Sequence, residues 1–88
     1  MYGLNGRVGL VTGGGGGIGR AIARRLARDG MAVAVVDRDG GAAQTVASEI
    51  GGLAVTADVT DPEQVARAVD AALARYDKID LLINNAGV

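Results

Sequence analysis

The sequence predicts an α/β protein whose parallel β-sheet is covered by helices, with elements in the order β-α-β-α-β-α-β. Two observations lead to this fold class. Four near-continuous apolar runs have the length of single strands, and the three segments between them repeat apolar residues at helical spacing. Strands that alternate with helices in this way form parallel sheets, and the right-handed crossover rule leaves few topologies. The doubly wound parallel sheet is the simplest of these.

The first half of the chain contains two strands and the helices that follow them. The first apolar run, residues 7–12, ends in a cluster of glycines, and the second, residues 32–36, ends in Asp37. Gly30 is placed to cap the C-terminus of the first helix, and Gly51-Gly52 stops the second. The apolar residues at helical spacing are Ile18, Ala21, Ile22 and Leu26 in the first helix, then Ala43, Val46, Ala47 and Ile50 in the second.

The second half repeats the pattern. Residues 53–57 are predicted as a third strand and residues 79–83 as a fourth. Between them Asp61-Pro62-Glu63-Gln64 opens a helix with a cap residue and with proline at the first helical position. We expect this third helix to cover part of the sheet face opposite to the first two. Its predicted apolar face consists of Val65, Val69, Ala72, Leu73 and Tyr76.

Length and composition limit the class of protein. The 88 residues are fewer than the roughly 100–200 of an ordinary domain, so the chain is one small domain or a piece of a larger one. Hydrophobic residues make up 49% of it, which excludes a disordered chain. The absence of Cys and His excludes disulfides, Cys/His metal sites and His-based catalytic triads, and we predict no bound metal.

The charge balance argues against two kinds of partner. Nine Lys and Arg residues against ten Asp and Glu leave a net charge of −1, which favours neither nucleic acid nor an anionic membrane. No apolar run approaches the ~18 residues of a membrane span, and the N-terminus lacks the pattern of a signal peptide. We therefore predict a cytoplasmic protein.

Glycines fill the loop between the first strand and the first helix, from Gly13 to Gly17 and again at Gly19. A loop in this position must turn sharply, bring its backbone close to a ligand and let the helix pack closely on the strand. Each task is easier without a Cβ atom. The N–H groups and the dipole at the helix start favour a phosphate group. The alternative is a flexible loop without a ligand.

Two other glycine-loop chemistries do not fit the sequence. A nucleotide-hydrolysing P-loop needs G-x-x-x-x-G-K-S/T, whereas Arg20-Ala21 follow Gly19. A kinase-type loop lies between antiparallel strands, which this pattern does not offer. Gly14, Gly16 and Gly19 satisfy the dinucleotide-binding pattern G-x-G-x-x-G. The glycine cluster therefore predicts a dinucleotide site.

Three ordered motifs, each at the end of a predicted strand, resemble those of the short-chain dehydrogenase/reductase family. They are Thr12-Gly13-x-x-x-Gly17-Ile18-Gly19, Asp58-Val59 and Asn84-Asn85-Ala86-Gly87. The resemblance covers essentially all 88 residues but only the first half of the family's Rossmann-type fold. It implies that residues 1–88 are the partial dinucleotide-binding domain of an oxidoreductase. Such an enzyme transfers hydride between a nicotinamide cofactor and an alcohol or carbonyl substrate.

The predicted cofactor is NAD, and NADP is the less favoured alternative. Asp37 ends the second strand, where a carboxylate can accept hydrogen bonds from both hydroxyls of the adenosine ribose. The 2′-phosphate of NADP would meet a like charge there. Gly16 occupies a position where many NADP-using relatives carry a basic residue. Arg38 is the opposing signal, because a guanidinium beside the ribose could bind a phosphate.

The resemblance implies further roles within the site. Asp58 would accept a hydrogen bond from the adenine amino group and Val59 would pack on the ring, while Asn84 would tie neighbouring strands together. Asp80 is expected to be a solvated strand end, and Arg20 is a minor candidate for phosphate binding. The predicted cofactor-binding residues are Gly13, Gly16, Gly17, Ile18, Gly19, Asp37, Arg38, Asp58, Val59, Asn85, Ala86 and Gly87.

No catalytic residue is predicted. In the family that the sequence resembles, the Tyr of a Tyr-x-x-x-Lys pair transfers the proton, and the Lys lowers the pKa of its phenol. Four residues after Tyr2 the sequence has Gly6. Four residues after Tyr76 it has Asp80. We therefore expect the 88 residues to lack the C-terminal catalytic half and to be inactive alone. The fourth strand would then be an open apolar edge, completed in a homo-oligomer or by another chain.

Two alternatives stay open at this point. A nucleotide-binding or redox-sensing half-domain without catalysis would carry the same loop. An S-adenosylmethionine-binding transferase also places glycines after its first strand and an acid after its second, but it leaves Asn84-Asn85-Ala86-Gly87 unexplained.

Overall fold

The computed structural model describes residues 5–85, which form four strands and three helices. The strands are β1 (Val8–Thr12), β2 (Ala32–Asp37), β3 (Leu53–Thr56) and β4 (Leu81–Asn84), and the helices are α1 (Gly17–Arg28), α2 (Gly40–Ile50) and α3 (Pro62–Tyr76). Every pair of neighbouring strands is parallel, and the order in the sheet is β3-β2-β1-β4. The predicted element order and the parallel sheet are confirmed.

The strand order brings the carboxyl ends of the strands to one edge of the sheet. Thr12, the last residue of β1, pairs with Val36 in β2 and with Asn84 in β4. Asp37 at the end of β2 pairs with Thr56 in β3. The chain first builds outward from β1 through β2 to β3, and then returns to place β4 on the other side of β1. In open α/β sheets, ligands bind at the carboxyl ends of the strands beside such a switch point.

The helices cover both faces of the sheet. Val11, Val33 and Val35 are buried in one apolar cluster with residues of α1 and α2. Leu10 and Val36 are buried in a second cluster with residues of α3. Successive residues of a strand point to opposite faces, and β1 and β2 are apolar up to their polar last residues, Thr12 and Asp37, because both of their faces are covered. The expectation that α3 covers the opposite face is confirmed.

The helix ends follow the signals in the sequence. α2 and α3 begin after Asp39 and Asp61, whose side chains each accept a hydrogen bond from a backbone N–H of the first turn. Gly30 ends α1 with a φ of 96°, and the Met31 N–H that follows it donates to the Leu26 carbonyl at 3.1 Å. This is the Schellman arrangement, in which glycine tolerates the positive φ.

The strand boundaries differ from the predicted ones. β1 and β3 are each one residue shorter, and β4 begins at Leu81 instead of residue 79 and includes Asn84. At the start of β4 the Asp80 N–H donates to the Val8 carbonyl, and the Asp80 carboxylate accepts the Val8 N–H, each at 2.8 Å. The carboxylate takes the place of a main-chain acceptor, so the ladder starts later. Asp80 is exposed, as predicted for a strand end, and its carboxylate is also hydrogen-bonded to β1.

The apolar face predicted for α3 is correct only in part. Ala72 and Val69 pack toward the sheet together with Ala68, which the prediction omitted. Leu73 is 39% exposed, contrary to the prediction. Ala68 and Ala72 lie one above the other on the helix, and their small side chains let the backbone of α3 approach the sheet closely. The bulkier Leu73 lies to the side of this contact line.

Candidate functional site

The carboxyl ends of β1, β2 and β3 open into a groove of about 300 Å³. Its lining comes from the glycine loop, from the end of β2 and from the segment after β3. The lining residues are Gly13, Asp37, Arg38, Ala57, Asp58, Val59 and Thr60. Five of the predicted site residues therefore meet in one place, namely Gly13, Asp37, Arg38, Asp58 and Val59.

The glycine loop turns tightly above the end of β1. Gly13 and Gly17 have positive φ values of 64° and 53°, which favour glycine. A Cβ atom on Gly19 would overlap the carbonyl oxygen of Gly13. The loop is also tied to β2, because the Gly14 N–H donates to the Val36 carbonyl at 3.2 Å. The path of the backbone thus favours glycine at Gly13, Gly17 and Gly19.

The start of α1 presents main-chain N–H groups beside this loop. Gly16 is the N-cap, and in the described part of the chain no side chain caps the helix. The first N–H groups of a helix have no partner within the helix, and together with the helix dipole they favour an anion. Ile18 is 71% exposed at this helix start. Four predicted site residues of the loop and helix start do not line the groove, namely Gly16, Gly17, Ile18 and Gly19.

Asp37 is held by the backbone of the glycine loop. Its Oδ2 accepts the Gly15 N–H at 3.0 Å, and its Oδ1 accepts the Asp39 N–H at 3.0 Å. These two bonds fix the orientation of the carboxylate of Asp37, which lines the groove. A Cβ atom on Gly15 would lie 2.9 Å from Asp37 Oδ2 and 2.8 Å from Ala42 Cβ, so this position has room for glycine only.

Gly15 was missing from the predicted site residues. No signal in the sequence distinguishes it from its neighbours, because it is the third of five consecutive glycines. Its role comes from a contact between the loop and the end of β2, 22 residues further along the chain.

Asp58 follows β3 and carries a stabilised negative charge. The pKa of Asp58 lies below its ordinary value of 3.8, because the backbone N–H and the hydroxyl of Thr60 donate to its carboxylate and the Arg38 guanidinium adds a favourable charge. The Asp58 N–H donates to Gln64 Oε1 at 2.8 Å, which joins this turn to the first turn of α3. Thr60 and Gln64 were not predicted as site residues. The side-chain oxygens of both act on Asp58, which only the folded turn shows.

The end of β4 is joined to the glycine loop. The Asn85 side chain donates from Nδ2 to the Gly13 carbonyl at 3.3 Å. Thr12 Oγ1 donates to Asn84 Oδ1 at 3.1 Å, so Asn84 ties β4 to β1 as predicted. Ala86 and Gly87, which complete the predicted set, lie outside the described residues.

Arg20 is engaged away from the groove. Its guanidinium pairs with Glu49 on α2, and Arg24 lies 3.8 Å from the same carboxylate. In residues 5–85 no group of three or more acidic residues is arranged to hold a metal ion. In the same part of the chain, no helix is both long and apolar enough to cross a membrane.

The doubly wound parallel sheet, the glycine loop before α1 and the acidic residues after β2 and β3 define a Rossmann-type α/β protein. Residues 7–88 match the family model described as short chain dehydrogenase. The chain belongs to the short-chain dehydrogenase family.

Individual proteins also resemble this chain in sequence and in structure. The chain is 42% identical over 87 residues to a sorbitol dehydrogenase of Cereibacter sphaeroides. The alignment covers 97% of this chain and 34% of that protein. A 3-ketoacyl-(acyl-carrier-protein) reductase from Brucella melitensis complexed with NADH has a TM-score of 0.88 at 47% identity, covering 90% of this chain and 34% of the reductase. A short chain dehydrogenase/reductase from Burkholderia phymatum in complex with NAD has a TM-score of 0.88 at 34% identity, covering 93% and 31%. The chain spans about a third of the length of the curated relatives it matches.

Proposed function

We propose that the groove binds NAD(H) and that residues 1–88 are the partial dinucleotide-binding domain of a short-chain dehydrogenase/reductase. The observation that carries the proposal is the presence of two carboxylates, Asp37 and Asp58, in a groove that also includes Gly13 of the loop before α1. The loop would hold the pyrophosphate, and the two acids would accept hydrogen bonds from the adenosine half of the cofactor. Two structurally similar family members in complex with NADH and NAD support it.

Each part of the groove has a role in this proposal. Asp37 would accept the ribose hydroxyls, Asp58 the adenine amino group, and Val59 would pack on the base. The N–H groups at the start of α1, from Gly17 to Gly19, would face the pyrophosphate. Asn85, whose amide already holds the loop carbonyl of Gly13, would lie near the riboses together with Ala86 and Gly87.

The electrostatics of the groove favour NAD over NADP. A 2′-phosphate beside Asp37 would meet a like charge, at roughly 4 kcal/mol per pair of unit charges in contact at an effective dielectric near 20. Arg38 opposes this effect, but the same guanidinium already interacts with Asp58. The Asp37 carboxylate also has a fixed orientation, so it cannot easily turn away from the phosphate.

The proposed reaction is hydride transfer between the nicotinamide and an alcohol or carbonyl substrate. Because neither Tyr2 nor Tyr76 is followed by Lys four residues later, we propose that residues 1–88 bind the cofactor without turning over substrate by themselves. Proton transfer would need a Tyr and a Lys from outside these residues. A cytoplasmic location and a homo-oligomer, or completion by another chain, stay predictions.

The test is a titration of the chain and its variants with NADH and with NADPH, followed by calorimetry or by NADH fluorescence. We expect the wild type to bind NADH more tightly than NADPH. Asp37→Asn should weaken NADH binding about tenfold, because a hydrogen bond to a charged group is lost. The same variant should reduce the difference in affinity between NADH and NADPH, because the like charge beside the 2′-phosphate is removed. Asp70→Asn is the matched control, since Asp70 is exposed on α3 and does not line the groove. Absence of binding, or equal binding of both cofactors by the wild type, would refute the assignment.

A further inference from the structure

Thr60 holds the carboxylate of Asp58 at two points. Its backbone N–H donates to Asp58 Oδ1 at 2.9 Å, and its hydroxyl donates to the same oxygen at 2.8 Å. Both residues line the groove after β3. Within residues 5–85 the structure gives no hydrogen bond to Asp58 Oδ2. Two donors on one oxygen orient the carboxyl group and leave the other oxygen available to a ligand.

The chemistry of Asp58 suits one kind of purine. An ionised carboxylate only accepts hydrogen bonds. Adenine carries an amino donor at C6, whereas guanine and hypoxanthine carry a carbonyl acceptor at that atom. The charged groups around Asp58 are Arg38, Asp37 in the same groove, and Asp61, whose N–H donates to the Asp58 carbonyl. With Thr60 bound to it, the carboxylate stays ionised and turned in one direction.

We propose that Thr60 is a positioning residue for base recognition: by holding Asp58 Oδ1, it presents Oδ2 to an amino group and makes the groove selective for adenine over 6-oxopurine dinucleotides. This inference rests on the proposed cofactor-binding function. It adds the residue that sets the base selectivity of the site. Thr60 acts through Asp58.

The test compares NADH with reduced nicotinamide hypoxanthine dinucleotide, in which a carbonyl replaces the amino group of the base. We expect the wild type to bind NADH about tenfold more tightly than this analogue. Thr60→Val keeps the branched shape without the hydroxyl, and should lose about threefold to tenfold in affinity for NADH while binding the analogue as before. Thr60→Ser restores the hydroxyl and should restore the preference.

Two controls separate positioning from a general effect on the fold. Thr45→Val removes a hydroxyl that donates to the Gly41 carbonyl on α2, outside the groove, and should change neither affinity. NMR titration of the Asp58 carboxyl carbon gives a second readout. The pKa of Asp58 should lie below 3.8 in the wild type and in Thr60→Ser, and should be higher in Thr60→Val.

The outcomes are distinct. If Thr60→Val lost affinity for NADH and for the analogue by the same factor, the preference for NADH would be unchanged. This result would show a structural role and overturn the proposal. Asp58→Asn is the reference variant, and the proposal requires the preference to disappear in it. A wild type that binds both dinucleotides equally would overturn the base selectivity alone. A wild type that binds neither would overturn the cofactor-binding function as well.

Discussion

Glycines in the loop before α1 meet different physical requirements. Gly13 and Gly17 have a positive φ, which is costly for residues with a Cβ atom. Gly19 has a different constraint, because a Cβ atom at this position would overlap the Gly13 carbonyl oxygen. Gly16 has neither constraint, since its φ is −157° and nothing lies within 4 Å of where a Cβ would be. Substitutions within this one run should therefore have unequal effects.

We predict that Gly19→Ala lowers the free energy of unfolding by about 2 kcal/mol, because the new methyl group meets backbone atoms that can only move with the loop. Gly16→Ser is the control. It adds a good N-cap residue in open space and should leave stability unchanged or raise it by about 0.5 kcal/mol. Urea unfolding of both variants measures the difference, and equal losses would contradict the explanation.

At the scale of whole elements, β4 is joined to β1 by side chains at both ends. At the amino end of β4 the Asp80 carboxylate accepts the Val8 N–H at 2.8 Å and lies 3.3 Å from Lys78 Nζ. At the carboxyl end of β4 the Asn84 side chain accepts a hydrogen bond from the Thr12 hydroxyl. β4 pairs with β1 through four residues only. The side-chain hydrogen bonds at its two ends add to these pairings and help to fix its register. The contact made by Asp80 depends on the charge of its carboxylate.

The charge of Asp80 gives a pH dependence whose direction can be predicted. The Val8 N–H and then Lys78 and Arg7 hold the pKa of Asp80 below its ordinary value of 3.8, so the folded state favours the ionised form. This contribution to stability is fully present above pH 3.8 and is lost as the pH falls through the lower, folded-state pKa. Asp80→Asn should therefore be less stable than the wild type at pH 7, and the difference should shrink as the pH falls below 3.8.

Urea unfolding at a series of pH values from 7 to about 3 tests this prediction. Asp70→Asn, at an exposed position of α3, controls for the general effect of removing one negative charge. A difference between wild type and Asp80→Asn that stays constant down to the lowest pH would show that the charge of Asp80 is irrelevant.

At the scale of the whole molecule, the two faces of the sheet are covered unequally. Two helices cover the face that buries Val35, which is 0% exposed. Among the elements of residues 5–85, α3 is the one that packs on the other face, where Leu82 of β4 is 61% exposed. An apolar groove of about 180 Å³ runs between α3 and the sheet, lined by Leu10, Val69 and Leu82 among others. Stability should therefore depend mainly on the face covered by α1 and α2.

We predict that Val35→Ala lowers the free energy of unfolding by about 2 kcal/mol, since two buried methyl groups are removed and a cavity remains. Leu82→Ala removes more carbon atoms but should cost less than about 0.5 kcal/mol, because that side chain is largely in solvent. Thermal or urea unfolding measures both. A larger loss for Leu82→Ala would mean that the exposed face is covered in solution.

Much of the site could be predicted because its residues follow apolar runs. Asp37 ends one strand and Asp58 follows another, and the resemblance to the family implied that both acids share one cofactor site with the glycine loop. The structure brings Asp37, Asp58 and Gly13 of the loop into one groove. Gly15, Thr60 and Gln64 could not be predicted in the same way. Each acts by a hydrogen bond to an acidic residue of the groove, and hydrogen-bond geometry depends on the exact turn.

The sequence by itself determined the element order, the parallel pairing and the location of the glycine loop, because apolar periodicity and helix caps are local properties of the chain. Only the tertiary structure decided which face of α3 is buried, where β4 begins and how Asp37 and Asp58 are oriented. Leu73 is exposed because α3 turns Ala68 and Ala72 toward the sheet, and β4 starts at Leu81 because Asp80 bonds to Val8. These outcomes depend on contacts between segments far apart in the chain, which no local pattern of residues specifies.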